Sequence, residues 1–428
     1  MLDRILAVGT LAVVYGLIVT GRVHRTTAAL GGAITVIGFG LLSESEAIEA
    51  VRWEALGLIF GMFVLVAALA RSGFFRWIGL LVLQRTRFHP LRIFVAFSGL
   101  SAVLAAFMDS ITVMIFMASV TIEVTRILGM RAGPFLIAQI TAANIGGAAT
   151  MVGDPPNIIL GTALGYSFAD FVTHTGIVSI AMFAGNLAVF YGLHRSSFRA
   201  RAQDVAAVYR EHAELRPSSA IEDHHLLRVS LMAFAFTVTL LVLHQLLDLL
   251  VAFAALLGAT IVLAVGGRDM PDLVEKIDWH TLLFLGSLFI IVGAVERTGV
   301  LAEFATMLSA ASGGNALVLI TALLWFSAIV SAVVDNVPFA AAMVPVIRKL
   351  ADAGLLSMDN LVWTVAIGAD VGGNATPIGA SANVVGLAIA EKHGVHMGWG
   401  EYLRSGLPSM LVSVAIANVL LVFVVIHI

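Results

Sequence analysis

Apolar runs long enough to cross a bilayer recur from one end of this chain to the other, and that leaves few folds open. Inside hydrocarbon every backbone polar group must be paired within the protein, so only helices and closed barrels span it. The runs are continuous and do not alternate, which excludes a barrel. Spans are predicted at 5–20, 26–42, 55–70, 133–165, 176–193, 229–245, 249–266, 281–296, 360–390 and 407–426. The first lacks a small-residue cleavage site and reads as a retained helix. Of the 428 residues 60% are apolar and 12% charged, against about 45–50% and about 25% in soluble domains. A soluble enzyme, a disordered chain and a nucleic-acid binder are thereby excluded, and a net charge of −3 offers no polyanion footprint. There is no cysteine, and the twelve histidines show no metal-ligand spacing. No catalytic group, metal or cofactor is expected.

One polar stretch, 194–228, divides the chain into a first half, 1–193, and a second, 229–428. Lysine and arginine are enriched on the cytoplasmic side of membrane proteins. With this linker in the cytoplasm, 19 of the 24 basic residues fall inside, leaving Arg4, Arg52, Arg297, Arg348 and Lys349 outside. The halves align at one offset of 226 without gaps over most of their length: Trp53 on Trp279, Arg71-Ser72-Gly73 on Arg297-Thr298-Gly299, Asp109 on Asp335. Between 144–157 and 370–383 six of fourteen positions are identical, namely Gly146, Gly147, Ala149, Thr150, Gly153 and Asn157. Each half holds five spans plus one further apolar block. An odd number of crossings inverts the second half in the membrane, an arrangement found in secondary transporters.

The polar residues at membrane depth come in two pairs of blocks. Block 93–122 carries one charge, Asp109. As a single helix it would run about 45 Å, against a hydrocarbon core of about 30 Å. Its mate reads SAVVDNVPFAAAMVPV, where Pro338 is expected to break the helix ladder. Re-entrant hairpins at 93–125 and 316–348 follow, with Asp109-Ser110 and Asp335-Asn336 at the tips; kinked spanning helices are the alternative. The second pair, ANIGGAATMVGDPPNIIL and ADVGGNATPIGASANVVG, sets glycine, threonine and asparagine in the middle of apolar spans. Broken helices are expected at 133–165 and 360–390, because unwound backbone at this depth lines a cavity or is buried in protein. Close packing by glycine is the plainer reading. Four intramembrane acids stand out as functional candidates, Asp109, Asp154, Asp335 and Asp370. Asp154 aligns with Ala380 and Asp370 with Asn144, so coupling is expected at these unequal positions, Asp370 first. Asp154 has a simpler alternative: it precedes Pro155-Pro156 and would cap the next half-helix.

NIGGAATMVGDPPNIIL, VDNVPFAAAMVPV and GGNATPIGASANVVGLAIAEKHG resemble the arsenite permease/P-protein family of the ion-transporter superfamily. The likeness runs from Trp53 to about Leu411. It implies an all-α polytopic membrane protein of two inverted-topology repeats, with about ten transmembrane helices, two re-entrant hairpins and two broken helices. It also implies elevator-type alternating access, a homodimer in the lipid bilayer of a prokaryotic plasma membrane, and a cytoplasmic ATPase as a conceivable partner. Carried over by motif, the substrate residues are Asp109, Ser110, Thr112, Gly146, Gly147, Thr150, Asn157, Asp335, Asn336, Gly372, Gly373, Asn374, Thr376 and Asn383. Asp370, Asp154, Asp109 and Asp335 are the proton-coupling candidates. The tips read Asp-Ser-Ile-Thr and Asp-Asn-Val-Pro, where dicarboxylate carriers of the superfamily show Ser-Asn-Thr. The favoured expectation is arsenite/antimonite efflux in exchange for H+, with Na+ as the alternative coupling ion. A Na+/H+ antiporter and an organic or inorganic anion carrier are the other readings, and a membrane enzyme the last.

Overall fold

The computed structural model describes residues 1–20, 22–198, 216–265, 270–275 and 277–427, and every regular element among them is a helix. The first half runs α1 (Leu2–Val19), α2 (Arg25–Gly38), α3 (Glu44–Ala50), α4 (Trp53–Arg71), α5 (Phe74–Thr86), α6 (Pro90–Phe107), α7 (Ser110–Ile127), α8 (Ala132–Gly147), α9 (Pro155–Leu164) and α10 (Phe168–His194). The second half runs α11 (His224–Leu243), α12 (Val251–Val265), α13 (Met270–Glu275), α14 (Trp279–Arg297), α15 (Val300–Ala311), α16 (Ala316–Ser331), α17 (Asn336–Asp352), α18 (Met358–Gly372), α19 (Ser381–Lys392) and α20 (Trp399–His427). The chain is a polytopic membrane protein. Seven helices among the described residues are long and apolar enough to cross a bilayer: α4, α6, α7, α10, α11, α14 and the Trp399–Phe423 stretch of α20.

The offset found in the sequence is the register of the fold. Helices α2 to α9 begin at 25, 44, 53, 74, 90, 110, 132 and 155, and α12 to α19 each begin 226 residues later. Packing is exchanged between the halves in the same way. Helix α4 packs on α12 while its mate α14 packs on α2, and α7 packs on α19 while its mate α17 packs on α9. Reciprocal exchange of this kind is what a two-fold relation between the halves produces. Gly61 marks how close α4 and α12 lie, since a Cβ there would stand 2.6 Å from the Ala255 carbonyl carbon.

Each block expected as a hairpin is two helices joined at a short break, at Met108–Asp109 in one and at 332–335 in the other. Pro338 does not break the second. It is the third residue of α17, where the missing N–H would have had no partner in any case. Helices α5 and α15 lie where the sequence reading placed connections, and α2 and α12, of 14 and 15 residues, are shorter than the spans expected there. Only the ends of the linker expected at 194–228 fall within the described residues. Of the five basic residues assigned to the outside, Arg4 pairs with Glu303, Arg297 with Glu46 at 2.6 Å, and Arg52 feels the charges of Arg348 and Glu296.

Candidate functional site

The two hairpin breaks expose helix N-termini, and the first acid of each caps its own helix. The Asp109 carboxylate accepts from the Ile111 and Thr112 N–H groups at 2.9 and 3.1 Å and from the Thr112 hydroxyl, capping α7. Asp335 caps α17 by accepting from the Val337 N–H at 3.1 Å. The next residue of each tip reaches the centre. Ser110 Oγ donates to Asp154 Oδ1 at 2.9 Å, and Asn336 Nδ2 donates to Asp154 Oδ2 at 2.9 Å and to Asp370 Oδ1 at 3.5 Å. The tips of the two halves thus meet on one carboxylate. Asp154 occupies the N-cap position of α9, but its side chain makes no capping bond: the Asn157 N–H goes to the Asp154 backbone carbonyl at 3.1 Å, and both carboxylate oxygens go to the tips.

The breaks themselves are braced by matching bonds. Asn157 Nδ2 donates to the Gly147 and Thr150 carbonyls at 3.1 and 3.0 Å, and Asn383 Nδ2 to those of Gly373 and Thr376 at 2.7 and 2.8 Å. The Thr150 hydroxyl donates to the Ala106 carbonyl and the Thr376 hydroxyl to that of Ala332. A Cβ on Gly146 would stand 2.1 Å from the Ala102 oxygen, and one on Gly372 would stand 2.3 Å from that of Ala328. These residues join each hairpin to its own broken helix. Asn374 sits deeper, accepting from Asn144 Nδ2 at 2.8 Å, and the same amide donates to Asn383 Oδ1 at 2.9 Å.

Donors are scarce where the tips meet. The Asn336 amide bridges the Asp154 and Asp370 carboxyls, and the repeat sets Asn157 against Asp370 as it sets Asn383 against Asn144. Five acceptor oxygens, those of Asp154 and Asp370 and Oδ1 of Asn157, face three donor hydrogens, one on Ser110 and two on Asn336. Asp370 Oδ2 and Asn157 Oδ1 are buried without a partner. Among the described residues no lysine, arginine or histidine is buried.

The nearest cation stands at one tip only. Arg25, at the start of α2, donates to Ser381 Oγ at 2.7 Å and Thr281 Oγ1 at 2.9 Å, and lies 3.5 Å from Asp335 Oδ2 and 5.5 Å above the Phe284 ring. The sequence reading passed over it; its signal was a lone arginine at the head of an apolar run. The position matching Arg25 in the second half is Val251. The two sides differ in volume as well. A cavity of about 520 Å³ is lined by Phe63, Ala67, Ala70, Asp109, Ile115 and Asp278. Its counterpart, lined by the matching Phe289, Gly293, Glu296, Ala341 and Arg52, holds about 170 Å³. The side of the Asp109 tip is wide, and the side whose tip Arg25 holds is narrow.

A family profile described as "Citrate transporter" (CitMHS) matches residues 15–368. The "46 kDa membrane protein" of Mycobacterium leprae is 33% identical over 97% of this chain and 98% of its own length. An "Uncharacterized transporter" of Mycobacterium tuberculosis is 34% identical over 99% of this chain and 100% of its own. The mouse "P protein" is 30% identical over 96% of this chain and 59% of its own. The crystal structure of the YdaH transporter of Alcanivorax borkumensis shares the fold, with a TM-score of 0.59 over 89% of this chain and 87% of that one at 14% identity.

Proposed function

The chain belongs to the CitMHS citrate transporter family, and on that premise we propose that this membrane transporter is a proton-coupled exporter of small neutral hydroxylated species, arsenite and antimonite foremost. The observation that carries the reading is the donor shortage around Asp154 and Asp370. A neutral trihydroxide such as As(OH)3 brings O–H donors and no charge to a centre rich in acceptors. It also brings nothing for a buried carboxylate to repel. The absence of cysteine suits a carrier, which must release what thiolates would hold. Thr112, Thr150, Gly146, Gly147, Gly372, Gly373 and Thr376 serve by keeping the breaks open, and Ser110 and Asn336 by presenting donors.

In this reading the halves are inverted in a prokaryotic plasma membrane, the linker is cytoplasmic, and two copies form a dimer. Each hairpin travels with its broken helix, and the two unequal cavities are the two faces of an alternating-access cycle. The family description makes a polycarboxylate the second cargo to test. Such an anion would have to arrive with cations of its own, since like charges at short range are strongly unfavourable in a desolvated site. The test is uptake into everted vesicles containing the protein, comparing arsenite, Na+ and citrate with and without a proton gradient. Gradient-dependent accumulation of arsenite alone is expected. Accumulation of citrate but not arsenite would replace the cargo, and accumulation of Na+ alone would make the chain a Na+/H+ antiporter.

A further inference from the structure

The duplication places a control beside the unpaired oxygens. Asn157 and Asn383 hold matching positions, and each gives both amide hydrogens to two backbone carbonyls. Since carbonyls can only accept, the orientation of both amides is fixed, and each Oδ1 must turn to whatever lies across from it. Across from Asn383 lies Asn144, which supplies a hydrogen at 2.9 Å. The position matching Asn144 is Asp370, and the shared register of the two halves sets its carboxyl across from Asn157 as Asn144 is set across from Asn383. A carboxylate has no hydrogen to give. Asp370 Oδ2 and Asn157 Oδ1 stand buried and unpartnered, and so does Asn144 Oδ1; the halves differ in that Asn144 gives a hydrogen to Asn383 Oδ1 while Asn157 Oδ1 receives none. An acceptor left bare inside a protein loses its hydration without return. A single proton on Asp370 restores the missing bond, with the acid O–H donating to Asn157 Oδ1.

We propose that Asp370 Oδ2 and Asn157 Oδ1 form a one-proton binding site, of which Asn144–Asn383 is the permanently filled counterpart. The step is an acid–base exchange: the carboxylate takes H+ from water in the open cavity and later returns H+ to water, and no other bond changes. The groups that face the site are Asp154, whose carboxyl is in reach, and Asn336, which donates to Oδ1. Asp109 and Asp335 act on Asp154 from the two tips. The role of this proton in driving export rests on the transporter reading above, whereas the site itself does not.

Infrared difference spectroscopy on the purified full-length protein reads the carbonyl stretch of a protonated carboxylic acid directly, without cargo. Wild type should show a buried acid band that appears and disappears as pH is stepped, and Asp370→Asn should remove it. That variant copies the amide already present at Asn144, and its elution as a single species is checked first. Asn144→Asp should add a second titrating band, which keeps the proposal testable if Asp370→Asn does not fold. A band that survives Asp370→Asn and vanishes in Asp154→Asn would overturn the proposal, as would Asn144→Asp with no added band. If the bands behave as stated but arsenite drives no proton flux, the cargo reading fails and the proton site stands.

Discussion

Replacing Arg25 by methionine keeps the length of the side chain and removes its charge and donors. Two of its contacts cross from α2 to the second hairpin and broken helix: the 2.7 Å bond to Ser381 and the 3.5 Å ion pair with Asp335. Hydrogen bonds to charged groups contribute about 1.5–3 kcal/mol net. The Arg25 side chain is 23% exposed, so about 1–2 kcal/mol is the reasonable share. At about 1.4 kcal/mol per tenfold, losing it should favour opening of the narrow side by roughly 5- to 30-fold. Asp335 itself stays partnered, since it keeps the Val337 N–H and the Ser381 hydroxyl. The chain has no cysteine, so single reporters can be placed without background. Ala341 lines the narrow cavity and Ile115, its match, lines the wide one. Labelling of Ala341→Cys by a water-soluble maleimide should accelerate 5- to 30-fold when Arg25→Met is added, and labelling of Ile115→Cys should not accelerate. Unchanged labelling of Ala341→Cys would refute the link between Arg25 and the narrow side.

Gly146→Ala should destabilise the protein by about 1–3 kcal/mol, because its Cβ meets backbone atoms of α6 that cannot swing away. Gly31→Ala, whose Cβ meets nothing within 4 Å, should be neutral or stabilising by about 0.4–1 kcal/mol; thermal unfolding in detergent compares them, and equal shifts would contradict the fused hairpin. At the membrane edge, the Ser43 N–H, the Ser43 hydroxyl and Arg297 hold Glu46 down to about 2 from an ordinary 4.5. A lowered acid stabilises fully above its ordinary value and ceases to as pH falls through its folded one. The difference in unfolding temperature between wild type and Glu46→Gln should therefore persist at neutral pH, shrink below about pH 4.5 and vanish near pH 2; a difference independent of pH would remove Glu46 from the account.

The sequence carried the register of the fold because glycine, proline and asparagine at membrane depth have few uses, so a repeat of them survives as a pattern. The offset drawn from Trp53, Asp109 and Asn157 turned out to be the offset of helix starts. Helices α5 and α15 escaped notice since Arg76 and Arg85 in one, and short length in the other, read as connections. What an alignment does not show is which positions face each other across the two-fold relation. Asp154 aligns with Ala380 yet bonds to Ser110 and Asn336 from both tips, and Asn144 aligns with Asp370 yet bonds to Asn383. Asp109 and Asp335 were placed at the tips from sequence, but their carboxylates were expected in the centre. Each caps the helix that begins at the next residue, while Asp109 also lines the wide cavity and Asp335 also accepts from Ser381.

Asp154 joins the two tips, so it tests the whole account at one atom pair. Purified wild type and Asp154→Asn should be placed in liposomes, and arsenite uptake followed both as exchange and as accumulation against a proton gradient. The account places transport at the carboxylate where Ser110 and Asn336 meet, and so predicts that wild type performs both and that Asp154→Asn, though folded, loses both. Wild-type rates of exchange and accumulation in Asp154→Asn would contradict it.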